Sequence, residues 1–127
     1  MNAEELKRRT KQFGIRIVKL VDALPRNQTA SVIGRQLLRS ATSVGANYRA
    51  VCRAKSRADF IAKLGIVEEE CDESLYWLEM LVETNLIKPG LVSGLMKAGE
   101  EILAIVVASA KTARVKNNPR SAIANPK

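Results

Sequence analysis

The stretch from Arg35 to Leu81 most constrains what this chain can become. It divides at Ser56 into two helix-patterned segments of opposite charge. From Arg35 to Ala54 there is no acid, and from Asp59 to Leu81 the only base is Lys63. Before the break, Ile33, Leu37, Ala41, Val44, Tyr48 and Val51 recur every three or four residues and share one side of a helix. After it, Phe60, Leu64, Val67, Cys71, Leu75, Leu78 and Val82 form a second apolar stripe. Ser56-Arg57-Ala58-Asp59 has the form of a capping box, which makes the turn between the helices very short. Two such helices leave apolar surface open, so the rest of the chain must pack on them.

The flanking segments supply that packing. Asn2 followed by Glu5 predicts another capped start, and Leu6, Phe13, Ile17, Leu20 and Leu24 give a helix from about Ala3 to Leu24, ended by Pro25. That helix is basic, with Lys7, Arg8, Arg9, Lys11, Arg16 and Lys19. The second helix is expected from about Gln28 to Ala54 and the third from Arg57 to Asn85. Lys88-Pro89-Gly90 reads as a loop. A fourth helix follows from about Leu91 to Lys116, with Leu95, Ile102, Leu103, Val106 and Ala110 facing inward. Four helices with short connections predict an all-α, antiparallel up-down-up-down bundle over residues 1–117. Residues 118–127, rich in Asn, Pro, Ser and Ala with two bases, read as a disordered basic tail. Gly45 costs roughly 1 kcal/mol relative to Ala inside a helix. A close helix crossing and plain tolerance account for it equally well.

Of the 127 residues, 46% are hydrophobic, mostly Ala, Leu, Val and Ile, and 4% are aromatic. That mix suits helices and a real core. The longest strongly apolar run, Ile102 to Ala110, falls short of the ~20 residues that span a bilayer. The polar start does not resemble a signal peptide, so a cytoplasmic protein is expected. Cys52 and Cys71 read as reduced, core-side residues.

There is no histidine, so the acids of the third segment lack the Glu-x-x-His pairs of di-metal bundles. Glu69 and Glu73 project away from the apolar stripe. No histidine is available as base for Ser40, Ser43, Ser56 or either cysteine, no Ser–Lys pair is signalled, and no glycine-rich loop opens a helix. The expectation is a protein without catalysis, metal or cofactor.

Charge is the sharper signal. The formal net charge is +8, and the pI is about 9.9. Residues 59 to 87 hold eight acids and one base, a net −7, while the remainder holds 20 bases and five acids, a net +15. Arg35, Arg39, Arg49, Arg53 and Arg57 fall within about 80° of one another opposite the apolar face, provided the helix runs that far. Guanidinium groups match phosphate oxygens, and a row of them can follow a nucleic-acid backbone. Lys111, Arg114 and Lys116 are secondary candidates. Pairing of the row with the acids of the third segment is the competing use. Few aromatics argue against a stacking platform for single strands, so backbone contact with a duplex or structured RNA fits better. Trp77 and Met80 lie off the third stripe; with Tyr76 they form a candidate subunit interface, the alternative being a wider buried face in a four-helix core. Ser43 and Asn47 border the apolar face of the second helix and are placed to tie helices together.

Arg39-Ser40-Ala41-Thr42-Ser43-Val44-Gly45-Ala46-Asn47, then Ser56-Arg57-Ala58-Asp59-Phe60, resembles the signature of the four-helix-bundle proteins encoded in intervening sequences of bacterial 23S ribosomal RNA genes. So do Lys63 to Glu70 and Glu73 to Leu78. The likeness covers about residues 13 to 110 and is most specific from Leu37 to Leu81. It implies an antiparallel four-helix bundle, a homopentameric barrel and no catalytic residues. It also implies distant kinship to the accessory proteins of diversity-generating retroelements, basic pentamers that associate with a reverse transcriptase and nucleic acid. One motif departs. Many members continue Ala-Asn with Glu-Gly, whereas Ala46-Asn47 here leads into Tyr48-Arg49, so any role of that glutamate does not transfer.

Overall fold

The computed structural model describes residues 1–117 as α1 (Ala3–Asp22), α2 (Gln28–Val51), α3 (Arg57–Glu83) and α4 (Pro89–Asn117) with short links. The tail expected over 118–127 lies outside the described residues.

Local chemistry sets each start. Asn2 and Asn27 each accept, through Oδ1, the backbone N–H three residues on at 2.8 Å, and Ser56 Oγ accepts from Asp59 N–H at 3.0 Å. The Ser56 box closes one residue early. The Asp59 carboxylate accepts from Lys55 N–H at 3.0 Å and also holds Lys63 Nζ at 2.6 Å. At the end of α3, Asn85 adopts φ 60°, while Leu86 N–H reaches Leu81 O and Asn85 N–H reaches Val82 O, both at 3.0 Å. This left-handed stop suits asparagine, and it uses carbonyls the helix leaves open. Pro89 belongs to α4 rather than to the loop. At the first helical position its missing N–H costs nothing.

The helices surround one core in chain order. α2 packs on α1 and α3, α3 on α4, and the ring closes most sparsely between α1 and α4. α1 and α3 face each other across the diagonal. The contacts run in opposite senses along neighbours: positions 10 and 14 of α1 meet 45 and 41 of α2, and positions 9, 13 and 16 meet 101, 99 and 94 of α4. The five-residue links 52–56 and 84–88 span at most about 20 Å. That is too short to return along a helix of 24 residues or more, roughly 36 Å, so α2, α3 and α4 also alternate in direction.

All six apolar positions predicted on α2 are buried. On α3, Phe60 and Val82 are half-buried, while Ser74 and Leu81 take interior places. Val92 joins the core of α4, and Leu103 is half-buried. The Ser74 hydroxyl donates to Glu70 O at 2.8 Å and lies 3.1 Å from Ser40 Oγ, which satisfies two buried hydroxyls across α2 and α3. Gly45 marks a close crossing. A Cβ there would sit 3.3 Å from Thr10 O and 3.4 Å from Lys11 Cα, so backbone meets backbone. Ser43 and Asn47 bond within α2 only, Ser43 to Arg39 O and Asn47 to Ser43 O, and do not link helices. Cys71 is buried, and burial pushes its thiol up to about 12. Cys52 is exposed, contrary to the expectation of two core-side cysteines.

Candidate nucleic-acid interface

The five arginines do not form one row. α2 ends at Val51 with Cys52 as its cap, so only Arg35, Arg39 and Arg49 ride on it. Arg53 sits in the turn, where its N–H bonds Ala50 O at 3.0 Å, and Arg57 opens α3. The break is physical: the chain must reverse within five residues to bring the α3 stripe onto α2.

The fold regroups the charges instead. The ends of α2 and α4 and the start of α3 share one pole of the bundle. Arg49, Arg53, Arg57, Lys111 and Arg114, all exposed, gather there with Lys55. Lys116 lies on the same last turns of α4. Arg35 stands apart, 14 residues or about 21 Å up α2 from Arg49, and donates to Ser31 Oγ at 3.2 Å.

Arg39 is used internally. Its guanidinium bridges Glu70, at 3.2 Å, and Glu73. These bonds, Glu73 first, raise the arginine's pKa, while Glu73 is lowered first by the Trp77 N–H and then by Arg39. Four of the five arginines make no ion pair among the described residues. By helix the net charges are +3 for α1 (six bases, three acids), +3 for α2 (three bases), −6 for α3 (two bases, eight acids) and +2 for α4 (four bases, two acids). The basic α1 and the acidic α3 therefore sit on opposite sides of the molecule.

α1 contributes what the helical-wheel argument missed. Where Gly14 and Gly45 let α1 and α2 close together, the outer surface becomes a groove. Lys7, Arg8, Lys11 and Arg49 edge it, with Glu4 paired to Lys7 at 3.3 Å, over Ile15 and Val18, each 38% exposed. The signal was present as six bases in α1, but their convergence on Arg49 depends on the register between two helices.

The candidate interface residues divide. Tyr76 is 52% exposed, with its ring edge-on to Trp77 at 4.9 Å between centroids. Trp77 is half-buried, and its Nε1–H donates to Glu73 at 3.0 Å. Met80 is half-buried against the core. Ile66, 44% exposed, adds apolar surface to α3. Among the described residues no three of His, Cys, Asp or Glu come together as a metal-holding group, and no helix is long and apolar enough to cross a membrane.

Comparison with known proteins bears on this geometry. The family described as 23S rRNA-intervening sequence protein matches residues 4–108. A crystal structure of a protein of unknown function, from the S23 ribosomal protein family of Bacteroides thetaiotaomicron, is similar with 38% identity and a TM-score of 0.81. The similarity covers 87% of this chain and 99% of that one. No curated protein matches the chain.

Proposed function

We propose that this chain, which belongs to the 23S rRNA-intervening sequence protein family, is a non-catalytic, cytoplasmic protein that binds RNA or DNA non-specifically through its basic helices. The observation that carries this reading is the fate of the positive charge. Of the acids of α3, Glu70 and Glu73 engage Arg39 and Asp59 engages Lys63, while Arg49, Arg53, Arg57, Lys111 and Arg114 stand exposed at one pole without ion pairs among the described residues. Surface cations left without acids favour a polyanion, because each phosphate they neutralise releases a counterion. The likeness to basic pentamers makes a homo-oligomer, a pentamer in the first instance, the assembly in which several such poles would act together.

A second reading has its own support. Arg39 is bound by two carboxylates of the same chain. The basic groove beside α1 and the acidic outer face of α3, with Tyr76 and Ile66, are complementary in charge. On this reading the charges serve assembly of an adaptor whose target is a protein.

Duplex binding across a salt series, with mass measured in parallel, separates the two. Binding with a log–log slope of about −4 or steeper supports roughly five engaged phosphates. Arg49→Glu with Arg53→Glu should abolish that binding and leave the mass unchanged. No duplex binding at low salt sinks the nucleic-acid reading. Loss of the oligomer in the double variant transfers these residues to assembly.

A further inference from the structure

We propose that the cleft between α1 and α4 is a phosphate-binding site, occupied by a backbone phosphate of the bound nucleic acid. As to the source of the phosphate, it rests on the function proposed above; the cleft itself does not. Arg8, Arg9 and Arg16 approach from α1 and Lys97 from α4, with Phe13 beneath. Four cations line the cleft with one carboxylate, Glu101, which Arg9 answers at 3.3 Å, while Arg8 has Glu5 of its own helix at 4.0 Å. Arg16 and Lys97 have no acidic partner among the described residues. No other pair of neighbouring helices packs as sparsely as α1 and α4, which leaves room there for a small anion.

Gly94 shapes the site. A Cβ on it would lie 3.1 Å from Arg16 Nη2, so the end of this exposed side chain lies over the α4 backbone at the glycine. Lys97 follows three residues later on the same face. A forked donor held from one helix and an ammonium from the other suit a tetrahedral oxyanion. The cleft measures about 270 Å³, below the roughly 300–1,000 Å³ of sites that enclose a small molecule. It has room for a phosphate group with its waters. Neither Arg16 nor Lys97 belongs to the polar cluster of Arg49, Arg53 and Arg57, so the cleft extends the contact surface along α1.

The test uses the whole chain, labelled with ¹⁵N, and inorganic phosphate in a constant chloride background. Saturable shifts of the Gly94 and Lys97 amides and of Arg16 Nε are expected in the wild type and not in Arg16→Gln/Lys97→Gln. Duplex RNA binding by that variant should show a salt slope shallower by about 2, one for each lost phosphate contact. Lys97→Gln alone, at an exposed position, serves if the double variant fails to fold, with a slope change of about 1. Absence of saturable shifts at the cleft overturns the site, whatever the duplex does. Shifts at the cleft without duplex binding by the wild type uphold the site as one for free phosphate and sink the nucleic-acid reading. Shifts at the cleft with an unchanged duplex slope overturn the assignment of that phosphate to nucleic acid.

Discussion

Helix α1 is held on its two flanks in opposite ways. Against α2 it is held by what is missing: Gly14 and Gly45 carry no side chain, and the backbones come within van der Waals reach. Against α4 the buried Phe13 ring packs at Gly99, and outside it two long side chains cross the seam, Arg9 on Glu101 and Arg16 over Gly94. Both flanks contain glycine, yet the glycines do different things. At position 45 the absent Cβ sets the distance between two helix axes. At position 94 it makes room for the end of a flexible side chain. The first kind of seam should report chiefly on stability, and the second chiefly on what the molecule binds.

The hardest test of this contrast is Gly45→Leu. The side chain would meet the Thr10 carbonyl and the Lys11 backbone, neither of which can swing aside. Overpacking of this kind costs roughly 2–3 kcal/mol, read as a lower urea midpoint with an unchanged slope. A midpoint equal to wild type would mean that the α1–α2 seam is not set by backbone contact.

Gly94→Ala should go the other way. Its new Cβ meets only the far end of Arg16, which can move, and alanine is the better helix former by about 0.5–1 kcal/mol. A net gain in stability is expected, together with weaker phosphate shifts at the cleft because the guanidinium is displaced. A loss of stability as large as that of Gly45→Leu would erase the distinction between the seams. Gly65, with nothing within 4 Å of a built Cβ, provides the unobstructed reference. Gly65→Ala should give the helix-propensity gain with no change in binding.

The seams also show what could be read in advance. The stripe from Ile33 to Val51 was fully legible, because burial on α2 follows a 3.6-residue period and nothing interrupts it. The exit from α2 was legible to within three residues, Ala54 expected and Val51 found, because the Ser56 cap marks the restart, but the arginine row was drawn across it. Arg53 and Arg57 fit the same angular row only if the helix continues, and the period carries no information on where the chain must turn. Asn27 was a readable cap that the apolar pattern overshadowed. Gly45 could be noticed but not decided, since tolerance and contact look alike until Thr10 stands opposite. The groups facing Arg49 and the neighbours of Arg16 were beyond reach for one reason: each depends on the register between helices, which repeats in no single segment.

The seam between α2 and α3 extends the comparison with a third mode of contact, and acid titration addresses it. Here Arg39 of α2 meets Glu70 and Glu73 of α3, and Trp77 donates to the same Glu73 carboxylate. The Trp77 N–H, followed by Arg39, holds Glu73 below the usual carboxylate range. A group whose pKa is lower in the folded state stabilises the fold above its unfolded value of about 4.3 and ceases to as pH falls through the folded one. Glu73→Gln removes the charge at every pH. The wild type should therefore melt above the variant at pH 6–7. The gap should narrow from about pH 4.5 downward and vanish in stronger acid. Asp59, also lowered, first by Lys63 and then by the Lys55 N–H, is common to both proteins, so the difference isolates Glu73. With the Glu73 side chain 34% exposed, the effect at neutral pH is small, roughly 0.2–1 kcal/mol before screening, and added salt should reduce it. A gap that persists unchanged to pH 2.5 would assign the stabilisation to the shape of the side chain and not to its charge. The α2–α3 seam would then be held by its buried stripe without help from the Glu73 charge.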